Sequence, residues 1–403
     1  MKFPHVCIVF SMVCLLGPSA AMASSKPGAA AAEIGSLARE TEPSGPGAEV
    51  KDSGPSTAEA PAAPLGQTLG AIAADRLKAL AVDTEKRLDG FKDDPSLLRA
   101  GIFYADDYAR ALKAKGLEDR YATFKEIEAF FNGWAPPAFF EKVPRSGSPS
   151  GYQPHTFQLK PKARPSEAIA RLRQGLALMD CGSTVSLACY EALLEVLGAD
   201  KFDHLFAGDG PAPLCIGATS IHLAVLLQAV PADAPWRRGQ IAGFGGPQAY
   251  MDKHLFGNAS AFNLICDDAR VKGRETFVGF GLKASGVDLE GLGQAFVAAY
   301  NQDPVNLAHY PDDLAAVIRK HYRPEDLERI QSHAGLTMTW SEYAGMGGPR
   351  LACRMEFNEA RVEALVKAGP QEALLKLCIW SAQHRLALPA TTVEAKETSE
   401  DKK

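Results

Sequence analysis

The stretch Ala177-Leu-Met-Asp-Cys-Gly-Ser-Thr-Val-Ser-Leu-Ala-Cys-Tyr-Glu-Ala-Leu-Leu-Glu-Val-Leu-Gly198 decides the fold. From Val185 onward its apolar residues recur at Val185, Ala188, Cys189, Ala192, Leu193 and Val196. That i, i+3, i+4, i+7 spacing describes one face of a helix. Asp180 suits the N-cap, because its carboxylate accepts backbone N–H bonds two or three residues on, and Gly198 suits a left-handed stop. Cys181 therefore falls at or beside the first helical position. There the unsatisfied N–H groups and the positive end of the helix dipole favour a thiolate over a thiol. A buried helix that opens on cysteine is a natural mount for a thiol nucleophile. The alternative at this position is a small buried residue at a helix entry.

The first residues carry an export pattern. Lys2 is followed by an apolar run of about eleven residues, Val6 to Leu16, short of the ~20 needed to cross a bilayer. Ala21-Met-Ala23 then forms a small-x-small cleavage site. The chain is expected to be cut after Ala23 and to be periplasmic or secreted, with no membrane span in the mature part. A net charge of −5 without a basic run leaves no electrostatic footprint for nucleic acid. Beyond Cys7 and Cys14 the cysteines are Cys181, Cys189, Cys215, Cys266, Cys353 and Cys378. An oxidising compartment permits disulfides. Cys181 and Cys189 cannot pair along one helix, since their spacing at ~1.5 Å rise per residue separates them by roughly 12 Å. No Cys/His cluster has zinc spacing, so neither a metal nor another cofactor is expected.

Residues 24–66 are Ala, Pro, Gly and Ser with scattered charges, too poor in large apolar groups to offset ordering entropy, and read as a disordered linker. Residues 67–145 read as a helical module, with helical patterns at Leu69–Leu88, Pro95–Lys115 and Leu117–Phe131. The loop Ser146–Gly151 marks a boundary. A core follows over 151–303, in which Ser166–Leu178 and Ala199–Phe206 are helices and the apolar Thr219–Val230 holds His222 as a core histidine. The period then changes to that of strands at Gln240–Phe244, Ala261–Cys266 and Thr276–Leu282. Asp288–Asn301 returns to helix. Residues 304–388 read as a helical region (Pro311–Tyr322, Pro324–Ala334, Asn358–Ala368, Pro370–Leu386), and 389–403 as a polar, disordered tail.

A nucleophilic thiol needs a histidine or carboxylate within hydrogen-bond reach. His254 lies in Tyr250-Met-Asp-Lys-His254, just before the Ala261–Cys266 strand, where a base can enter from a sheet. Its alternative is an exposed loop histidine. Asp267 and Asp268 end that strand, either orienting an imidazole or simply facing water. Asp180 is either an auxiliary carboxylate or a plain cap.

Three pieces in this order resemble the small bacterial protein-glutamine γ-glutamyltransferases (transglutaminases) of the spore-coat type. The first is Asp180-Cys-Gly-Ser-Thr184 with Tyr190-Glu-Ala-Leu-Leu194, similar to the family's acid-Cys-small-small opening and its Tyr-x-Ala-Leu-Leu continuation. The second combines Arg238-Gly-Gln-Ile-Ala242, Tyr250-Met-Asp-Lys-His254 and Ala261-Phe-Asn-Leu-Ile265, similar to a Gly-Asp strand, a Lys-His loop and a Gln-Gly-Glu-Asn strand. The third is Phe277-Val-Gly-Phe-Gly-Leu282, similar to a Gly-His-Gly strand. The likeness covers Ser166 to Gln302, about a third of the chain. It implies an α+β, papain/transglutaminase-like core in which the cysteine-bearing helix packs on a short antiparallel sheet, between flanking helical regions. It also implies a thioester between Cys181 and a protein glutamine, resolved by a lysine amine or by water. The expected partner is accordingly a protein substrate.

In that resemblance Cys181 matches the nucleophile and Asp180 the acid before it. The second catalytic carboxylate falls on Phe262 and the Gly-His-Gly histidine on Phe280. Phenylalanine neither takes a proton nor orients a base, so His254 or Asp180 is expected to handle the proton. Backbone N–H groups at Cys181 and Gly182 would hold an oxyanion. A cysteine peptidase using Cys181 and His254 would leave almost the same trace. The two phenylalanines also fit a degenerate enzyme kept as a secreted binding module.

Overall fold

The computed structural model describes residues 63–91, 102–103, 135–143, 156–175, 177–217, 220–254, 259–269, 274–302, 316, 319 and 323–387. The expected export signal, nearly all of the linker, the loop 146–151, the helix Leu117–Phe131, the polar tail and most of Pro95–Lys115 and Pro311–Tyr322 lie outside those residues.

In chain order the elements begin with helix α1 (Leu65–Phe91) and strands β1 (Ile102–Phe103), β2 (Phe140–Val143) and β3 (Thr156–Leu159). Helix α2 (Pro165–Gln174), strand β4 (Ala177–Leu178), helices α3 (Cys181–Leu197) and α4 (Ala199–Leu205), strand β5 (Cys215–Ile216) and helix α5 (Ile221–Ala224) come next. Strands β6 (Leu227–Ala229) and β7 (Ile241–Gly245), helix α6 (Tyr250–Lys253), strands β8 (Ala261–Asp268) and β9 (Thr276–Val278) and helix α7 (Leu289–Tyr300) follow. Helices α8 (Pro324–Ser332) and α9 (Trp340–Gly345), strand β10 (Arg350–Phe357) and helices α10 (Glu359–Lys367) and α11 (Pro370–Ala387) complete the order.

The fold is α+β. Its main sheet runs β6-β10-β7-β8-β9 with every neighbour antiparallel. Along β7 and β8 the side chains alternate between two cores, as the pleat requires. Ile241 and Ile265 face one core, with Val278, Met355 and residues of α1 and α3. Ala242, Phe244, Phe262 and Leu264 face the other, with Leu292 and Phe296 of α7 and Tyr343 of α9. The sheet is thus sandwiched between two helical layers.

Helix α3 is buried more completely than one apolar stripe allows. From Cys181 to Tyr190 every residue is buried, because the sheet lies on one side and α1 on another. Leu69, Leu77 and Leu80 of α1 are at most 2% exposed. Each contributes about 1.5–3 kcal/mol by leaving water.

Several expectations need correction. The strand β10 lies within the stretch 304–388 that reads as helical, yet it is an interior strand of the sheet, between β6 and β7. The sheet therefore draws on both sides of the expected boundary at 303, and α1 packs on the sheet and on α3 rather than within a separate helical module. Ile102 and Phe103, expected inside a helix, pair in parallel with Ala177 and Leu178. Helix α2 stops at Gln174 because Gly175 turns extended (φ −102°, ψ −178°), and the strand from Thr276 stops at Val278, ahead of Gly281 at φ +87°.

Candidate active site around Cys181

Asp180 precedes α3 with extended backbone (φ −85°, ψ 174°), and its Oδ1 accepts the Ser183 N–H at 2.6 Å. The cap fixes where the helix starts, and so places Cys181 at its first position. The Thr184 hydroxyl donates to the Cys181 carbonyl at 2.9 Å, and that of Ser186 to the Gly182 carbonyl at 3.0 Å. A first turn rich in small hydroxyl residues can therefore be buried with these groups satisfied. The amides of Cys181 and Gly182 belong to the turn that has no acceptors within its own helix. Cys181 itself is 8% exposed.

The sulfur rests against the edge of β8. Backbone groups of Cys266 bond toward the β7 side, to Gly239 and Gln240, and the Ser260 carbonyl does likewise with Gly246. Even-numbered residues of β8 thus point their backbone at β7, and odd-numbered ones point the opposite way, toward β9. The ladder with β9 begins only at Ile265, paired with Val278. At Ala261 and Asn263 that edge lies beyond the ladder, and Cys181 Sγ occupies it. The Asn263 backbone N–H donates to the sulfur at 3.4 Å, and the thiol faces the Ala261 carbonyl at 3.9 Å. The Asn263 side chain adds a second donor, Nδ2 at 3.2 Å from Sγ. Its cross-strand neighbour on β7 is Gly243, which has no side chain to compete for that amide.

Of the residues expected from sequence, the structure brings Asp180 and Cys181 together at one helix end. It places His254 elsewhere, at the end of α6, with its ring stacked on Tyr250 (4.4 Å between centroids) and Nε2 2.9 Å from the Tyr300 carbonyl. A carbonyl only accepts, so Nε2 carries the proton. Tyr250 and Tyr300 belong to the core on the sheet face away from α3. His254 is buried, not an exposed loop residue. Asp267 accepts from Lys78 of α1 at 2.7 Å and from Arg238 at 3.3 Å, so it fastens α1 to the strand end. His222 is a buried core residue with Nδ1 2.9 Å from the Ser381 hydroxyl. Phe262 packs on Phe296 at 4.9 Å, and Phe280 is buried in the core that α3 shares.

Asn263 was not among the residues singled out by sequence. The signal was present in the period of two: along Ala261–Cys266, Asn263 is the one polar side chain, on the face opposite Phe262 and Leu264.

Cys189, Cys215, Cys266, Cys353 and Cys378 are free thiols. Burial pushes Cys189, Cys215 and Cys266 up to about 12 and Cys353 to about 11, and raises Cys378 as well. Among the described residues no three His, Cys, Asp or Glu side chains gather where a metal could sit, and no helix is long and apolar enough to cross a membrane. A cleft of about 280 Å³ opens between the start of α1 and Arg237–Gln240, but Cys181 does not line it.

The chain matches no family model and no curated protein. Among solved structures it is similar to the transglutaminase from Geobacillus stearothermophilus (without C-terminal extension), at 14% identity and a TM-score of 0.35, over 73% of this chain and 95% of that one. A likeness at that level assigns neither residue roles nor an activity. Those rest on the geometry around Cys181.

Proposed function

We propose that the protein is an exported thiol acyltransferase acting on protein glutamine, with Cys181 as nucleophile. The observation that carries this reading is the pair of Asn263 N–H donors converging on a sulfur at the start of a helix. Donors directed at sulfur favour its anion, which is the attacking form. The motif resemblance around Asp180–Thr184 supplies the substrate class.

The thiolate attacks the glutamine carboxamide carbon and a C–S bond forms. Negative charge passes to the carboxamide oxygen, which the first-turn amides at Cys181 and Gly182 are placed to hold. The C–N bond then breaks, and the nitrogen leaves as ammonia after taking a proton from water. A lysine amine attacks the thioester, gives its proton to solvent and releases the thiolate; with water in its place the product is glutamate. Of the two proton carriers expected from sequence, Asp180 is the one that shares the helix end with the thiol. His254 has no step in this mechanism.

The test is mass spectrometry of a glutamine-rich protein incubated with a labelled primary amine, beside Cys181→Ala. Amine incorporation or deamidation that disappears in the variant is the expected outcome. Peptide cleavage that disappears in the variant would replace acyl transfer with proteolysis. Silence from both proteins would favour a binding module, the reading to which the buried Phe262 and Phe280 lend weight. Export is tested separately, by finding Ser24 as the first residue of protein recovered outside the cytoplasm.

A further inference from the structure

We infer that Asn263 is a positioning residue that holds the Cys181 sulfur as its anion. The inference rests on Cys181 being the nucleophile. Asn263 presents two donors to one atom, the backbone N–H at 3.4 Å and Nδ2 at 3.2 Å. A side-chain amide nitrogen donates and does not accept a proton, so Asn263 cannot act as a general base. Hydrogen bonds made to the charged form of a group favour that form. The arrangement depends on three independent placements. The ladder between β8 and β9 begins only at Ile265, which leaves the odd-numbered edge to the sulfur. The pleat turns the Asn263 side chain away from the Phe262 and Leu264 core. The Asp180 cap sets the helix start at the height of that edge.

In this assignment the acyl-transfer site runs on a thiol ionised before substrate arrives. Its proton goes to solvent, and the Asn263 side chain keeps the sulfur aimed off the strand edge. Phe262, one residue earlier, points into the other core and takes no part.

The experiment follows iodoacetamide alkylation of Cys181 in the full chain, read peptide by peptide, across pH for the wild type, Asn263→Ala, Asn263→Asp and Asn263→Ser. At pH about 6, Asn263→Ala should react about tenfold more slowly, the equivalent of one unit in thiol ionisation. Asn263→Asp, nearly the same shape but with an acceptor toward the sulfur, should be slower still. Asn263→Ser, which restores a small donor, should fall between Ala and the wild type. Near pH ~10, where an ordinary thiol ionises unaided, the Ala rate should converge on the wild type. Superimposed profiles would overturn the inference, and so would a slowing of Asn263→Ala that is equal at every pH, which marks lost access instead of lost charge stabilisation. A urea transition for each variant shows which of them are folded, and the isosteric Asp variant carries the test if Ala unfolds.

The two readings fail separately. Shifted profiles without amine incorporation would leave Asn263 in its role and remove glutamine as substrate. Incorporation that requires Cys181, with superimposed profiles, would do the reverse.

Discussion

Cys189, Cys215, Cys266 and Cys353 stay protonated well above neutral pH because burial disfavours their anions. Cys181 is also buried, yet it alone of the six sits at a helix start with N–H donors on its sulfur. At pH ~6, where an ordinary thiol is almost wholly protonated, Cys181 is expected to take iodoacetamide first and the others hardly at all. Equal labelling of Cys353 or Cys378 would remove the case for a distinct thiol. Asp180→Asn separates the two jobs of its residue, since asparagine also caps well. The fold should hold to within about 0.5 kcal/mol, and any fall in acyl transfer would then belong to the lost carboxylate. His222 offers a pH dependence away from the site. Burial, with the nearby Arg385, lowers it from 6.5 to about 4. The unfolded chain takes up a proton at about pH 6.5 that the folded chain refuses until about pH 4. Stability is therefore fully present above about pH 6.5 and is lost as pH falls toward 4, by an amount on the order of 3 kcal/mol. His222→Gln should flatten the drop in urea midpoint between about pH 7.5 and 5, and an unchanged drop would place the sensitivity in other groups.

Strand β10 is the element where packing and sequence reading diverge most. Arg350-Leu-Ala-Cys-Arg-Met-Glu-Phe357 alternates with Leu351, Cys353, Met355 and Phe357 at every second position, a strand pattern in plain view. The helical patterns that flank it at Pro324–Ala334 and Asn358–Ala368 masked it, and a partner as far away in sequence as β6 leaves no local trace. Arg354 is 3% exposed within that strand. Its guanidinium stacks on Trp236 at 3.9 Å and donates to the carbonyls of Ala234 and Pro235 and to Gln240 Oε1. It binds the loop before β7 to the sheet. Arg354→Met should cost on the order of 3 kcal/mol in urea unfolding, because it leaves buried carbonyls unpaired. A cost under about 0.5 kcal/mol would mean that water replaces the guanidinium there. The local elements fared better: the cap at Asp180, the helix from Cys181 and the strands at Gln240 and Ala261 all rest on short-range periodicity. The site was half legible for the same reason. Cys181 and Asp180 are marked by the helix they start, whereas Asn263 meets them only through sheet register.

Seen across the molecule, α1 decides whether the N-terminal part is a module of its own or a layer of the core. It crosses the sheet where Gly70 meets Gly239, and a Cβ on Gly70 would lie 2.8 Å from the Gly239 carbonyl oxygen and 3.0 Å from its Cα. The Glu359 carboxylate at the start of α10 accepts the N–H groups of Leu65 and Gly66, at 2.5 Å each, and Lys78 pairs with Asp267 at the end of β8. A change that lifts α1 should therefore be felt by α3 and by the β8 edge that carries Asn263. Gly70→Ala isolates that effect. Alanine favours an isolated helix by about 1 kcal/mol over glycine, so a module standing alone would gain stability. In the layered core the added methyl meets backbone that cannot step aside, and overpacking of this kind costs about 1–3 kcal/mol. The expected result is a lower urea midpoint and faster hydrogen exchange in α1, α3 and β8 together, with Cys181 alkylation altered in step. Gly345→Ala, with nothing within 4 Å of its added Cβ, serves as the control and should leave all three unchanged. Exchange that rises in α1 alone, or a midpoint that increases, would return α1 to an independent helical module. It would also uncouple the N-terminal part from the thiol.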